Sequence, residues 1–557
     1  MSVDEKLLEP SLIPLRINVG VTGHRSISNE DKVRQQIFEI LTGRWREALT
    51  ITSVIKLDSA SSLPIAFTAI SPLAEGADRL VAEVVLTTAE GRLEVPLPMS
   101  GAEYKKDFST PESKQQFDLL LLKAVRAYER HPLHETYDPQ VSKYLWAGNE
   151  VVRSSDIIIA IWDGKPAKGT GGTAQIVDLA KESGKPVFVI SSQSPYAIEL
   201  FNAASIELGT LIDRISFYNS SNVNIEEGFS VREFEKIFAS KEGTEIPDRY
   251  KNEVIQKLLP HYVKSSLLAS HNQRRYQKTG KMAYVISTAS VAFMAMAVVF
   301  GSTTPLVAIV CYVAELIALC GLFQMIHKAH KAHVHINWLE NRALAERIRS
   351  TFFYVFCGIR PNPLNEFADV TNSNWINRVV TEIRDGLSVP EYSGSSSAPI
   401  FVNFIRTMWI NDQISYHQEK TTASNNKNKM LKVLGIRLFA AAILVSAIHL
   451  ISALMGAAGR HPSHLMLIVE EILTVIAVTL PAAAAAVGGY RILMEHSRIA
   501  SRSASMVQKL SLLDARIRPP KTSDDLEHLI VCTEKIMLAE SQDWTNLMSH
   551  ADLERIA

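Results

Sequence analysis

Cysteine is scarce in this chain: four residues, Cys311, Cys320, Cys357 and Cys532, in a length of 557. They show no CxxC or Cys/His zinc spacing and two lie in apolar runs, which argues against a disulfide framework and against a structural metal. An excess of one charge is missing too, since 58 Lys and Arg balance 58 Asp and Glu. A protein built to coat nucleic acid carries a basic surplus, so nucleic acid is not an expected partner. The N-terminus, MSVDEKLLEPSLIPLRINVG, has no long apolar core followed by a small-residue cleavage site and does not read as a secretory signal. The first domain is therefore expected to stay in the cytoplasm. At 47% apolar and 21% charged residues, the chain is too long for one ordinary domain and too apolar for disorder; two or three domains are expected.

Long hydrophobic runs are absent from the first 220 residues and frequent afterwards. In the first part, short apolar runs (RINVGVTG, LPIAFTAIS, LEVPLPM, DIIIAIWD, KPVFVIS) alternate with helical stretches near 32–49, 78–87, 114–128 and 174–183. That rhythm predicts an α/β domain over 1–220 with a parallel sheet, its strands buried on both faces. Residues 221–281 are charged and helical in pattern, a coupling segment. Four runs then reach the roughly 20 residues that cross a hydrocarbon layer: 282–301, 306–326, 434–456 and 465–487. They predict two transmembrane hairpins, one in 282–360 and one in 401–557, separated by a linker over 361–400 whose Pro, Asn, Gly and GSSS content is that of a connector.

Lys278, Lys281, Lys328 and Lys331 bracket the first hairpin, and its tip, GSTTP, is uncharged. Lys427, Lys429, Lys432 and Arg437 precede the second, Arg491 follows it, and only Arg460 lies near its tip. The positive-inside rule then puts the N-terminal domain and the C-terminal tail on the cytoplasmic side of a multi-pass inner-membrane protein. A shift of 155 residues lays Glu315 on Glu470, Glu340 on Glu495 and Arg347 on Arg502, which together with the repeated element order suggests a duplicated hairpin unit.

Three glycine-bearing loops carry the chemistry expected of the first domain. In INVGVTGHR, Gly20, Thr22 and Gly23 permit backbone approach to a phosphate, and His24 and Arg25 follow, Arg25 as a bidentate donor. SPLAEGADR offers Ser71, Glu75 and Gly76 to a ribose or base, with Asp78 and Arg79 as an ion pair. DGKPAKGTGGT runs into a helix and brings Asp163, Lys165, Lys168, Gly169, Thr170, Gly171, Gly172 and Thr173. Its amides and lysines suit an anion at a helix N-terminus, although it lacks the Walker GK[ST] spacing. Loops at the carboxyl ends of parallel strands converge, so all three can line one nucleotide-sized crevice.

GVTGHR, SPLAEGADRLVAE, VPLPMSGAEYKKDF and SDIIIAIWDGKPAKGTGGTAQIVDLA, in that order, resemble the SLOG superfamily, the Rossmann-like group that includes the LOG nucleotide phosphoribohydrolases and the DNA-processing protein Smf/DprA. The resemblance covers about residues 15–195 and implies binding of a nucleotide or ADP-ribose-like ligand. In bacterial anti-phage systems such domains are thought to sense nucleotide signals. The remainder is similar in layout to SLATT effector domains, which associate with SLOG modules, and NDQISYH (411–417) looks like part of that pattern. LOG hydrolases resemble one another in PGGxGTxxE; matching its Gly-Thr to Gly172 and Thr173 puts Ile176 where the catalytic Glu sits. An apolar side chain cannot act as general acid or base. Another match puts Asp178 there, and Glu75 or Asp163 are further substitutes.

In the membrane part, Glu315, Glu470 and Glu471 fall inside apolar helices, where a carboxylate costs about 2.5–3.5 kcal/mol unless it faces a bundle interior or water. They are the pore candidates. His327, His330, His333 and His335 are read as interfacial residues and not as metal ligands. The combined expectation is a homo-oligomeric, ligand-gated pore. A nucleotide second messenger, made by a separate enzyme, binds the first domain and opens the pore in the lipid bilayer as an abortive-infection response in anti-phage defence. No cofactor besides that ligand is expected. A membrane-anchored N-glycosidic hydrolase and a nucleotide-regulated channel or transporter are the alternatives.

Overall fold

The computed structural model describes residues 10–59, 63–129, 143–166, 171–222, 246–359, 374–388, 398–457, 464–517 and 523–549. They form two compact units, Ser11–Asn222 and a second that takes in the residues from Ile246 onward.

The first unit is built on a seven-stranded sheet in the order β4-β3-β2-β1-β5-β6-β7. Its strands are β1 (Leu15–Gly23), β2 (Ile65–Ile70), β3 (Arg92–Leu97), β4 (Arg126–Glu129), β5 (Ile157–Trp162), β6 (Val187–Ser191) and β7 (Ile198–Phe201). All neighbours run parallel except β6 and β7. Ile157 to Ile161 are all buried, the signature of a strand covered on both faces, which is why the run is apolar without alternation. The intervening helices are α1 (Glu30–Thr42), α2 (Ile51–Ser59), α3 (Ala77–Thr87), α4 (Gly101–Tyr104), α5 (Pro111–Lys123), α6 (Lys143–Ser154), α7 (Thr173–Glu182) and α8 (Ile206–Ser220). This is a Rossmann-like arrangement. The chain steps outward from β1 to β4, then returns to the other side of β1 with β5, so the strand order reverses between β1 and β5.

Two elements differ from expectation. The helical stretch near 114–128 ends at Lys123, and Arg126 to Glu129 form the edge strand β4; a short edge strand of half-exposed residues has too little apolar alternation to show itself. The helix expected over 32–49 ends at Thr42 and continues as a 3₁₀ turn, Arg44–Ala48, because Gly43 interrupts it.

The second unit is helical. A short helix α9 (Asp248–Glu253) passes through a π-helical turn, Val254–Leu258, into α10 (Leu259–Phe300), followed by α11 (Pro305–Lys331) and α12 (Val334–Phe356). After α13 (Asn374–Asp385) and α14 (Ala398–Phe404) the pattern returns: a π-helical turn, Ile405–Asn411, then α15 (Asp412–Ala457), α16 (His464–Leu493) and α17 (His496–Arg516), with α18 (Ser523–Ser549) last. Among the described residues, four helical stretches in this unit are long and apolar enough to cross a bilayer. The segment read as coupling is continuous with the first of them, Asp248–Phe300, and the stretch read as a linker contains α13, whose Trp375, Ile376, Val379 and Val380 are buried.

Each half turns from its second long helix into the next through one left-handed residue, His333 (φ 49°) and Glu495 (φ 49°). These hinges define the structural correspondence of the two halves. On that register Glu495 matches His333 and not Glu340, so the pairing based on a single sequence shift fails. Counted back from the hinges at 3.6 residues per turn, Glu315 lies about five turns away and Glu470 about seven, so they occupy different depths.

Candidate functional site at the sheet's crevice

In open α/β sheets, ligands bind beyond the carboxyl ends of the strands where the order reverses. Here that place lies between the ends of β1 and β5, and His24 spans it. Its backbone N–H donates to Ile161 O at 3.0 Å, its carbonyl accepts from Ala77 N at 3.0 Å, and its Nε2 accepts from Asp163 N at 3.1 Å. One residue thus joins the loops after β1, β2 and β5. The Asp163 carboxylate lies 3.2 Å from His24 Nε2 and 3.2 Å from Lys165 Nζ, and it accepts from Lys165 N at 3.1 Å. The Lys165 amide, with help from its ammonium and His24, holds the Asp163 carboxyl down at about 2.

The glycines are placed by close packing. A side chain at Gly76, which has φ +80°, would stand 2.4 Å from Arg25 O, and one at Gly23 would stand 2.4 Å from Ala77 Cβ. Both permit the loop after β1 to rest on the start of α3. Gly20 lies inside β1, where a Cβ would meet Ser155 Oγ at 2.3 Å, and Thr22 is a buried strand residue paired with Ala160. Gly20 and Thr22 therefore belong to the sheet and not to the loop at its end.

Two polar residues expected to touch a ligand are occupied elsewhere. Ser71 is buried; its hydroxyl donates to Asp78 O at 2.9 Å and accepts from Leu73 N at 3.2 Å. Glu75 accepts from Ser109 N and Ser109 Oγ, each at 3.0 Å, and from Ser113 Oγ at 2.5 Å. Burial pushes the Glu75 carboxyl up, but these hydrogen bonds leave it lower than usual. Asp78 and Arg79 turn to different partners. Asp78 Oδ2 accepts from Ala74 N at 3.2 Å, whereas Arg79 donates to Leu73 O, Ser113 and Gln116 and lies over the Phe108 ring.

Three ionisable residues lie within the field of Arg25: Asp78, which was expected to pair with Arg79, and Tyr104 and Tyr144, which sequence reasoning passed over. Asp78 is buried, and burial pushes its carboxyl up to about 7 although the Ala74 amide, Arg25 and Arg79 pull it down. Tyr104, from α4, is buried near Asp78, Arg25 and Tyr144, and its phenol is raised well above normal, first by burial. Tyr144, in the first turn of α6, donates to Asp107 Oδ2 at 2.5 Å; burial and that bond push it up to about 12. The exposed Arg25 is the cation whose field reaches all three. Neither α4 nor the start of α6 carries a glycine-loop signature, and their tyrosines reach the site only through the order of the strands.

On the β5 side, Gly171 (φ +81°) packs against the Tyr144–Leu145 backbone and donates to Gln175 Oε1 at 2.8 Å. Gly172 caps α7 without a side-chain hydrogen bond, and Thr173 is its first residue. Its N-cap thus offers the first amides of α7 no side-chain acceptor, an arrangement suited to an anion. Lys168, Gly169 and Thr170 lie outside the described residues. Ile176 is a core residue: it is buried, and a Cβ on Gly148 of α6 would stand 2.3 Å from its Cδ1. Asp178 is exposed on α7.

In the helical unit, Glu315 lines a cavity between α10, α11 and α16. Glu470 and Glu471 are half-buried on α16, and the Glu470 carbonyl accepts from Thr474 Oγ1 at 2.8 Å. Compared with protein-family models and with curated proteins, the chain matches none.

Proposed function

We propose that this protein is a nucleotide-gated membrane effector of the SLOG and SLATT kind, a sensor domain joined to helices that open a pore. The observation that carries the reading is the crevice between β1 and β5, where Arg25, the N-terminus of α7 and Tyr144 come together. Arg25 and the α7 amides supply charge-assisted donors for a phosphate. Tyr144, whose ring is exposed while Tyr104 lies buried behind it, supplies apolar surface for a base or ribose. The ligand class is therefore a nucleotide or ADP-ribose derivative.

Binding without turnover is the preferred chemistry, because the position that would carry a hydrolase's glutamate is taken by Ile176 in the core. The four membrane-capable helices give the output: a ligand that binds one arrangement of the molecule better than another shifts the population towards it. Four crossings per chain are few for a pore, so several copies assemble. Opening dissipates ion gradients and disables the cell, an abortive response to phage. With both open ends of the hairpins rich in lysine, the sensor domain and the tail face the cytoplasm.

The test is retention and leakage. Purified protein in nanodiscs is offered cyclic nucleotides, NAD and ADP-ribose derivatives, and retained ligand is identified by mass spectrometry. The retained compound is then added to dye-loaded liposomes containing the protein. One intact, stoichiometric ligand that triggers leakage is expected, with Arg25→Ala lowering its affinity by roughly tenfold or more, the worth of a charged hydrogen bond. Recovery of a split base and ribose phosphate would make the protein a hydrolase instead.

A further inference from the structure

The cavity between α10, α11 and α16 has a volume of about 530 Å3, within the range of pockets that hold small organic ligands. Its walls are mostly apolar, with Val291, Met294 and Val298 from α10, Leu319 from α11 and Val478 from α16. Four polar side chains interrupt them, Ser287, Ser290, Glu315 and Thr474. The Glu315 carboxyl lines the cavity about ten residues into α11, some 15 Å along that helix and so near the middle of a roughly 30 Å hydrocarbon layer. Ser290 is 5% exposed, and its Oγ is enclosed with no hydrogen-bond partner among the described residues. Thr474 is already engaged, donating to Glu470 O at 2.8 Å and lying 3.1 Å from His449 Nε2.

No Lys or Arg is among the residues lining this space. A carboxylate at such depth is costly without a counter-charge, and an enclosed hydroxyl without a partner adds its own cost. An acyl chain filling the space would leave both groups as they are. A bare inorganic cation would need roughly six or more oxygen ligands in place of its hydration shell, more than Glu315, Ser290, Ser287 and the already engaged Thr474 supply. The occupant that satisfies all of them has an apolar body and one positive, hydrogen-bonding head.

We propose that this cavity is a binding site for a lipophilic monocation, an ammonium with an alkyl or aryl body. The ammonium pairs with Glu315 and donates to Ser290 Oγ, while the body packs against the valines, Met294 and Leu319. Pairing two opposite charges in a low-dielectric interior is worth far more than in water, so the charge of the ligand decides binding. The proposal stands independently of what the N-terminal crevice binds.

Photolabelling of the full chain in nanodiscs of neutral phospholipid tests it, using decylammonium that carries a diazirine and the matching decanol. Peptide mapping by mass spectrometry is expected to find the amine on the cavity-lining stretches of α10 and α11, in excess of the alcohol by roughly tenfold or more, the scale set by an ion pair at this depth. Glu315→Gln is expected to bring the amine down to the level of the alcohol, and Ser290→Leu to lower labelling there by filling the space. Equal labelling of the wild-type protein by amine and alcohol overturns the proposal and makes the cavity a lipid-tail slot. Loss of amine labelling when sodium replaces N-methylglucamine at constant ionic strength also overturns it, assigning the site to an inorganic ion. Both overturning outcomes are read on the wild-type protein, so a variant that misfolds does not blur the result.

Discussion

Asp78 is buried within the field of Arg25, and burial holds its carboxyl up at about 7 against the downward pull of the Ala74 amide, Arg25 and Arg79. Because its folded value lies above the unfolded one near 3.8, the folded protein binds the extra proton between those values. This residue's contribution to stability therefore falls as pH rises from about 4 to about 7 and is level above. An anion on Arg25 removes the cation's pull and raises the carboxyl further, so ligand binding takes up a proton. Affinity for an anionic nucleotide is expected to be higher at pH 6 than at pH 8 in the wild type and to lose that slope in Asp78→Asn. Calorimetry in two buffers of different ionisation enthalpy measures the proton directly; equal heats in both would remove Asp78 from the linkage. A second residue-scale expectation concerns Gly76, whose φ of +80° and 2.4 Å approach to Arg25 O leave no place for a side chain. Gly76→Val should destabilise the first unit by roughly 2–5 kcal/mol through backbone strain and overpacking together, read as lost hydrogen-exchange protection in β1 and α3. Residue types at loop tips were readable in the sequence, but their partners were not. Ser71 and Glu75 look available until Asp78, Ser109 and Ser113 are brought to them by the fold.

A buried ion pair ties three elements of the helical unit together. Arg384 of α13 donates to Glu534 Oε1 of α18 at 2.9 Å, with both side chains 6% exposed, and Tyr354 of α12 donates to Glu534 Oε2 at 2.6 Å. Arg384 also donates to Thr351 Oγ1 at 2.9 Å, so three helices meet at one carboxylate. Removing one member of such a group leaves the other charge buried and unpaired, at a cost of roughly 3–5 kcal/mol. Glu534→Ala is expected to free α18 from α12, visible as proteolysis after α17, whereas Arg384→Met combined with Glu534→Leu restores most of the protection. If the double variant is cut as readily as the single one, the pair does more than balance charge. None of this could be read from spacing, since Arg384 fell in a stretch with the composition of a connector. The helix α13 has a narrow apolar stripe, Trp375, Ile376, Val379, Val380 and Ile383, which is short enough to be lost among Pro, Gly and Ser on either side. The hinges were equally hidden. Glycine is the usual mark of a left-handed residue, and here the positions are held by His333 and Glu495.

For the whole molecule, the broad plan was legible because it follows from burial alone. Strands covered on both faces must be apolar throughout, and helices that cross a bilayer must be apolar for about 20 residues. What spacing could not supply is which loops meet, since that depends on the order β4-β3-β2-β1-β5-β6-β7, and this order brings Tyr104 and Tyr144 within the field of Arg25. It could not show either that the long helices begin well outside their apolar windows, as Asp248–Phe300 and Ile400–Met455 do. That continuity matters for the orientation of the chain. Lys278 and Lys281 lie on α10 before its apolar stretch, Lys328 and Lys331 in the last turns of α11, and the turn between the two helices, Gly301–Thr304, has no charge. The inside preference of lysine therefore acts on both ends of the hairpin in the same sense. With the four native cysteines replaced by alanine, a single cysteine at Ser302 is expected to react with a membrane-impermeant maleimide in intact cells. Cysteines at Lys281 and Ser501, both exposed, are expected to react only after permeabilisation. The opposite pattern would place the N-terminal domain outside the cell, away from any nucleotide made within it, and the gating proposal would fall with the topology.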